Sequence, residues 1–226
     1  MLHHRKGSPV PFSAALFDLD GTLLDTLDDL ANSTNAVLER AGFPAHPNAA
    51  YKVFVGEGLR RLIERALPEG SRDDVTVAST MDAMRKEYGG RWAEKTQPYD
   101  GIGSMLDRLQ ELDVRMAILS NKPDDFTKMC VAKLLSGRGF EIVMGARDGV
   151  PPKPDPAGAV EIASRMGLAP DEFLYLGDTN TDMQTATGAG MFAVGALWGF
   201  RDEAELREAG AQEVVRSPAE VASLME

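Results

Sequence analysis

Ala14-Ala-Leu-Phe-Asp18-Leu-Asp20-Gly21-Thr22 decides the fold. Four small or apolar residues in a row read as a strand buried on both faces, and it runs straight into two aspartates. Alternation along a strand puts Asp18 and Asp20 on the same side, at its carboxyl end. One carboxylate can then attack while the other moves protons, the division of labour that covalent catalysis needs. Gly21 permits a sharp turn away. A calcium loop competes for the Asp-x-Asp-Gly pattern, but that loop needs Gly at its sixth position and Glu at its twelfth. Counted from Asp18, Leu23 is sixth and Asp29 twelfth. A plain strand-turn capped by two aspartates remains the other reading.

Further short apolar runs repeat the pattern at Val114–Ser120, Glu141–Met144, Phe173–Gly177 and Phe192–Val194. Between them, Ile102–Leu112, Asp124–Leu135, Pro156–Met166 and Thr181–Ala189 carry apolar residues at helical spacing. Such alternation predicts a parallel sheet wrapped by helices, with ligands at the carboxyl ends of the strands. Residues 25–97 interrupt it. They offer helical patterns at Leu27–Ala41, Gly58–Leu67 and Val75–Trp92, separated by the turns Gly42-Phe-Pro-Ala and Pro68-Glu-Gly-Ser, and no strand. The expectation is a helical domain over 25–97 inserted into a core made of 1–24 and 98–226. Long helices packed directly on the sheet are the alternative.

Three other strand ends carry polar groups. Ser120-Asn121-Lys122 offers a hydroxyl and amides able to cradle a phosphate, although Ser-Asn is also ordinary turn chemistry. Lys153 sits in Val150-Pro-Pro-Lys-Pro-Asp-Pro156, stiff enough to hold one cation in place; the plainer reading is a solvated charge. Gly177-Asp178-Thr-Asn-Thr-Asp182 places one carboxylate where it could ligate a hard cation. Asp182, one helical turn on, could hold Lys153 or a metal-bound water, and either aspartate could simply cap the next helix. Taken in order, Asp/Asp, Ser, Lys and Asp/Asp make an acidic cluster beside a hydroxyl and a cation, as phosphoryl transfer requires.

These four motifs resemble those of the haloacid dehalogenase-like superfamily of hydrolases, and the resemblance covers nearly the whole chain after Pro11. It implies a three-layer α/β/α, Rossmann-like parallel sheet with an inserted α-helical cap. It implies Asp18 as nucleophile and Asp20 as general acid and then base. Ser120, Asn121 and Lys153 would hold the phosphoryl group. Mg2+ would sit on Asp18, Asp178 and the Asp20 carbonyl, with Asp182 and Thr22 in support. Softer patterns, Asp25-Thr-Leu-Asp-Asp-Leu-Ala, Asn121-Lys122-Pro123, Gly188-Ala-Gly-Met191 and Trp198-Gly199, are similar to those of phosphoglycolate phosphatases. Asp20 separates the chain from the true dehalogenases, and the lack of His in Leu27–Leu38 from the sugar phosphomutases. A nucleotide monophosphatase, a pyrophosphatase and a non-catalytic phosphate-responsive regulator are the rival functions. Within the cap, Val55-Gly-Glu57-Gly-Leu-Arg60-Arg61 is the predicted specificity element: two glycines allow close approach, and Arg60 or Arg61 would pair with a substrate carboxylate.

Composition limits the partners. Of 226 residues, 35 are acidic and 24 are Lys or Arg, a net charge of −11 that repels a nucleic-acid backbone. A phosphorylated metabolite must therefore be drawn in by local cations. Met1–Pro11 lacks the apolar stretch of a signal peptide, no run reaches membrane-spanning length, and the expectation is a cytoplasmic monomer or weak homo-oligomer. His3 and His4 have no third ligand nearby. Cys130, the single cysteine, reads as a buried structural thiol.

Overall fold

The computed structural model describes residues 12–226; Met1–Pro11, with His3 and His4, lies outside the described residues. The chain begins with β1 (Ala14–Phe17) and, after the Asp18–Leu23 turn, forms β2 (Leu24–Asp25). Helices α1 (Leu27–Arg40), α2 (Tyr51–Phe54), α3 (Leu59–Ala66) and α4 (Asp74–Arg91) follow, and β3 (Gln97–Pro98) brings the chain back. From there strands and helices alternate: α5 (Ile102–Glu111), β4 (Arg115–Pro123), α6 (Asp124–Leu134), β5 (Phe140–Ala146), α7 (Ala157–Met166), β6 (Phe173–Gly177), α8 (Asn180–Ala189) and β7 (Phe192–Ala196). Helix α9 (Glu203–Glu208), β8 (Glu213–Val215) and α10 (Pro218–Leu224) complete it.

Six strands form one parallel sheet in the order β5-β4-β1-β6-β7-β8. Chain order reverses around β1: the chain leaves it toward β4 and β5, then returns to its other edge at β6. A crevice outside the strand ends is the usual result. Alternation sorts the side chains into two cores. Ala15 and Phe17, Met116 and Ile118, Leu174 and Leu176 face one side with Leu106, Phe126 and Val221 of α5, α6 and α10. Ala14 and Leu16, Ala117 and Leu119, Phe173 and Tyr175 face the other, with Ile162, Met183 and Leu206 of α7, α8 and α9. Three layers result. The first core also continues into the insertion through Leu30, Leu62, Met84 and Tyr88, so the helices of that segment share apolar packing with the sheet side that carries α5 and α6.

The insertion is joined to the sheet domain at the β2–β3 antiparallel ribbon, where Leu24 pairs with Pro98 and Asp25 with Gln97. Just beyond it lies Asp29 of α1, which is 1% exposed. Its carboxylate accepts from the main-chain N–H groups of Lys95 (3.0 Å) and Thr96 (2.8 Å) and from the Thr96 hydroxyl (2.7 Å). One buried anion thus binds the outgoing chain to the returning one. Among the described residues no helix is long and apolar enough to cross a membrane. Cys130 is fully buried, and burial pushes its thiol up to about 11.

The Asp29 junction makes a direct prediction. Asp29→Ala leaves the donors of Lys95 and Thr96 without their acceptor, and should lower stability by about 2–4 kcal/mol. Urea denaturation measures it; a change under about 0.5 kcal/mol would mean that water takes over the acceptor role.

Candidate active site

The strand ends β1, β4 and β6 converge on one buried ammonium. Lys153 Nζ lies 2.8 Å from Asp18 Oδ1 and 2.6 Å from Asp182 Oδ1, and it donates to the Leu119 carbonyl at 3.1 Å. The lysine is 5% exposed, in a proline-rich segment that would otherwise carry it into solvent. Asn121 explains its position: Oδ1 accepts from the Lys153 N–H (2.9 Å), while Nδ2 donates to the Lys153 carbonyl (2.9 Å) and to the Gly56 carbonyl (3.1 Å). The reading of Asn121 as a phosphate ligand is therefore corrected for its side chain. That amide is a strut between the Lys153 segment, β4 and the insertion, and only its main-chain N–H remains for an anion.

Asp182 has two tasks at once. Oδ1 takes Lys153, and Oδ2 accepts from the Thr179 N–H (3.0 Å) and hydroxyl (2.7 Å), closing a reciprocal cap on α8. Of the two partners that the sequence allowed it, the structure gives it Lys153. Asp178 is held on its other side by the Thr22 hydroxyl (2.8 Å to Oδ1) and the Phe200 N–H (2.9 Å to Oδ2). Gly21 and Gly199 press against it: a Cβ at either position would stand 2.3 Å from an Asp178 side-chain atom. At Gly21, with φ at +92°, the backbone conformation also favours glycine.

The electrostatics point to a missing positive charge. Asp18, Asp178 and Asp182 each place a carboxylate oxygen within 4.8 Å of the others, all buried. Burial pushes the Asp18 carboxyl up to about 7, against the pull of Lys153. Burial and then the neighbouring Asp182 and Asp18 raise Asp178 well above the ordinary carboxylate range. Lys153 is raised well above its own ordinary value, because Asp18 and Asp182 together outweigh its burial. One ammonium among three clustered carboxylates leaves negative charge uncompensated in a low-dielectric site. Asp182 is already satisfied, so Asp18 and Asp178 supply an all-oxygen pair of hard ligands, the kind of set on which Mg2+ binds while keeping other positions for water or phosphate oxygens. The residues fit that ion.

Beside this cluster a cavity opens between sheet and insertion, lined by Asp18, Asp20, Ser120 and Lys122 below and by Gly56, Leu59, Leu62 and Arg85 above. Ser120 is 3% exposed and accepts from the Lys122 N–H at 3.2 Å. Asp20 turns toward Lys122, whose Nζ stands 2.9 Å from Oδ1 and 3.2 Å from Oδ2.

A model of the haloacid dehalogenase-like hydrolases matches residues 15–196. The chain belongs to that family. Among curated haloacid dehalogenase-like relatives, the phosphoglycolate phosphatase of Thiobacillus denitrificans is 30% identical over 97% of this chain and 98% of its own length. That of Pseudomonas putida is 33% identical over 82% of this chain and 69% of its own. A solved structure of a Lactobacillus delbrueckii subsp. bulgaricus protein, provisionally assigned as a phosphoglycolate phosphatase, superposes with a TM-score of 0.89 at 27% identity, covering 95% of this chain and 98% of that one.

The structure places the charged residues of the expected specificity element outside the cavity. Arg60 is exposed and pairs with Glu64 (2.8 Å) and Asp74 (2.5 Å); Arg61 pairs with Glu64 (2.9 Å), and Glu57 with Arg65. None of the three lines the cavity. Helical phase is the reason: Leu59, Leu62, Ile63 and Ala66 form the inward face of α3, so positions 60 and 61 point outward. The two glycines do make the close approach. A Cβ at Gly58 would stand 3.3 Å from the Asn121 carbonyl, and one at Gly56 3.3 Å from Thr179. Sequence reading passed over Lys122, although it lies two residues after Ser120, and over Arg85 and Tyr88 of α4.

The Thr22–Asp178 bond yields a second prediction. Thr22→Val keeps the shape and removes one donor from the proposed metal ligand. The Mg2+ concentration for half-maximal phosphatase rate should rise about tenfold or more, as is usual when a ligand loses its supporting bond. An unchanged Mg2+ titration would remove Thr22 from the metal site.

Proposed function

We propose that the protein is a Mg2+-dependent phosphatase of small phosphomonoesters, with 2-phosphoglycolate as the favoured substrate. The observation that supports this is the Lys153 bridge between Asp18 and Asp182 beside Asp178, a fixed cation among clustered carboxylates of which Asp18 also lines the cavity. The choice of substrate is supported by the names of the curated relatives.

Asp18 attacks phosphorus in line, forming a phospho-aspartyl bond as the bond to the leaving oxygen breaks. Asp20 gives its proton to that oxygen. It then takes a proton from the water that attacks phosphorus and releases Asp18 and phosphate. Lys153 and the Ser120 hydroxyl hold the equatorial oxygens, where preorganised charge contributes most to the rate. Bound at Asp18, Asp178 and the Asp20 carbonyl, Mg2+ would supply charge neutralisation and orientation for the phosphoryl group. Asp182 keeps Lys153 aimed, and Thr22 keeps Asp178 aimed. Residues 25–97 act as a cap over the core formed by 1–24 and 98–226, excluding bulk water when closed.

Purified protein assayed on 2-phosphoglycolate and a panel of phosphorylated metabolites, with Mg2+ or with excess chelator, tests the proposal. Phosphate release from 2-phosphoglycolate should be Mg2+-dependent and faster than from nucleoside monophosphates. Asp18→Asn should fold normally and lose at least about a thousandfold in kcat, because the covalent route is gone. Residual activity within tenfold of the parent would rule out Asp18 as the nucleophile, and full activity in chelator would rule out the metal.

A further inference from the structure

The cavity has cations of its own, distinct from Lys153, which lies behind Asp18 and does not line it. Lys122 projects into it from β4 with its side chain 3% exposed. Burial opposes its charge, but Asp20 and the Tyr88 ring oxygen outweigh that and hold it protonated. Its ammonium carries three donors. Among the described residues they meet Asp20, through both carboxylate oxygens, and the Tyr88 hydroxyl at 2.8 Å. All three donors are therefore engaged, two of them on the single Asp20 carboxylate, and the longer of that pair, at 3.2 Å, is the contact a ligand can replace in a cavity whose remaining walls are largely Leu30, Val55, Leu59, Leu62, Met84 and Phe126.

Arg85 supplies a second cation from the opposite wall. It lies one helical turn before Tyr88 on α4, so both reach the same side of that helix. Its guanidinium stacks 5.3 Å above the Phe126 ring and pairs with Asp125 at 2.5 Å, a carboxylate that is itself 59% exposed. Such an exposed pair is weak and readily exchanged. Four of the five guanidinium donors have no protein partner among the described residues. An otherwise apolar small cavity with one cation from the sheet and one from the insertion has no use for both if the leaving group is neutral.

Resting on the phosphatase reading above, we propose that Lys122 and Arg85 together read a second anionic group, a carboxylate, on the alcohol portion of the substrate. Lys122 binds it by giving up the longer of its two Asp20 contacts, and Arg85 exchanges Asp125 for it. The substrate then joins the two walls of the cavity as it is recognised. Specificity is set by this pair rather than by Arg60 and Arg61, which face solvent.

The test compares 2-phosphoglycolate with ethyl phosphate, which lacks the carboxylate, in the full-length protein with Mg2+. The wild-type ratio of kcat/KM should favour the acid, and Lys122→Met and Arg85→Ala should each collapse that ratio by about tenfold to a hundredfold. Arg85→Lys should recover part of the preference, which a purely structural role would not do. Binding of both compounds to Asp18→Asn, alone and combined with Lys122→Met or Arg85→Ala, reads the same preference without turnover. Arg85 is 41% exposed, so its variant keeps the test open if Lys122→Met fails to fold. A ratio and a binding preference unchanged in the Arg85→Ala protein overturn the proposal while leaving the phosphatase intact. Absence of turnover on every phosphomonoester overturns the phosphatase reading instead, and the binding arm still decides whether the pair reads a carboxylate.

Discussion

Lys153 is a cation that the chain has taken out of water, and the site depends on how it is kept there. A lone ammonium in a dry interior would be costly, and so would three carboxylates packed against each other. Placed together, each removes most of the penalty of the other. The same contact joins β1 through Asp18, α8 through Asp182 and β4 through the Leu119 carbonyl, so the relative placement of these elements is fixed by a charge balance as much as by apolar packing. Asn121 transmits that order further, because the side chain that seats Lys153 also bonds Gly56 of the insertion.

The balance at this centre is incomplete by design of the donor set. Asp182 is engaged by Lys153 and the α8 cap, whereas Asp178 has only neutral donors, the Thr22 hydroxyl and the Phe200 N–H. Gly21 and Gly199 let the backbone close on Asp178, where a Cβ at either position would stand 2.3 Å from its side chain. Under-neutralised carboxylates of this kind suit a compact divalent cation, the ion proposed for the site.

Most of the sheet was legible because strands buried on both faces leave uninterrupted apolar runs, as at Ala14–Phe17 and Phe173–Gly177. The edge strand Glu213–Val215 was not. It is three residues long, and its Glu213 and Val214 are only half-buried, so it carries neither a run nor an alternation long enough to register. The Leu24–Asp25 and Gln97–Pro98 ribbon is two residues on each side and exists only through a pairing across the whole insertion. The four motifs exposed Asp18, Asp20, Ser120, Lys153, Asp178 and Asp182 because strand ends gather at one edge of a parallel sheet. Arg60 and Arg61 misled because their charge was read without their helical phase, although Leu59, Leu62 and Ile63 already defined the buried face of α3.

Lys122 illustrates the harder limit. A lysine after Ser-Asn and before Pro has the composition of an exposed turn, and nothing local says otherwise. Its burial is created by Tyr88, 34 positions away on α4, and by Asp20, 102 positions away at the end of β1. Those partners meet only because the insertion folds back over the strand ends. Strand alternation puts Lys122 on the side of Ser120, which gives direction but not depth. Depth depends on what covers the strand end, and in this fold the covering element is a helical segment whose helices are legible in the sequence but whose placement over the strand ends is not. Chemistry common to the whole architecture sits in the sheet and can be read from strand ends. Discrimination between substrates sits where two separately legible units touch, and it becomes readable only when the contact is seen.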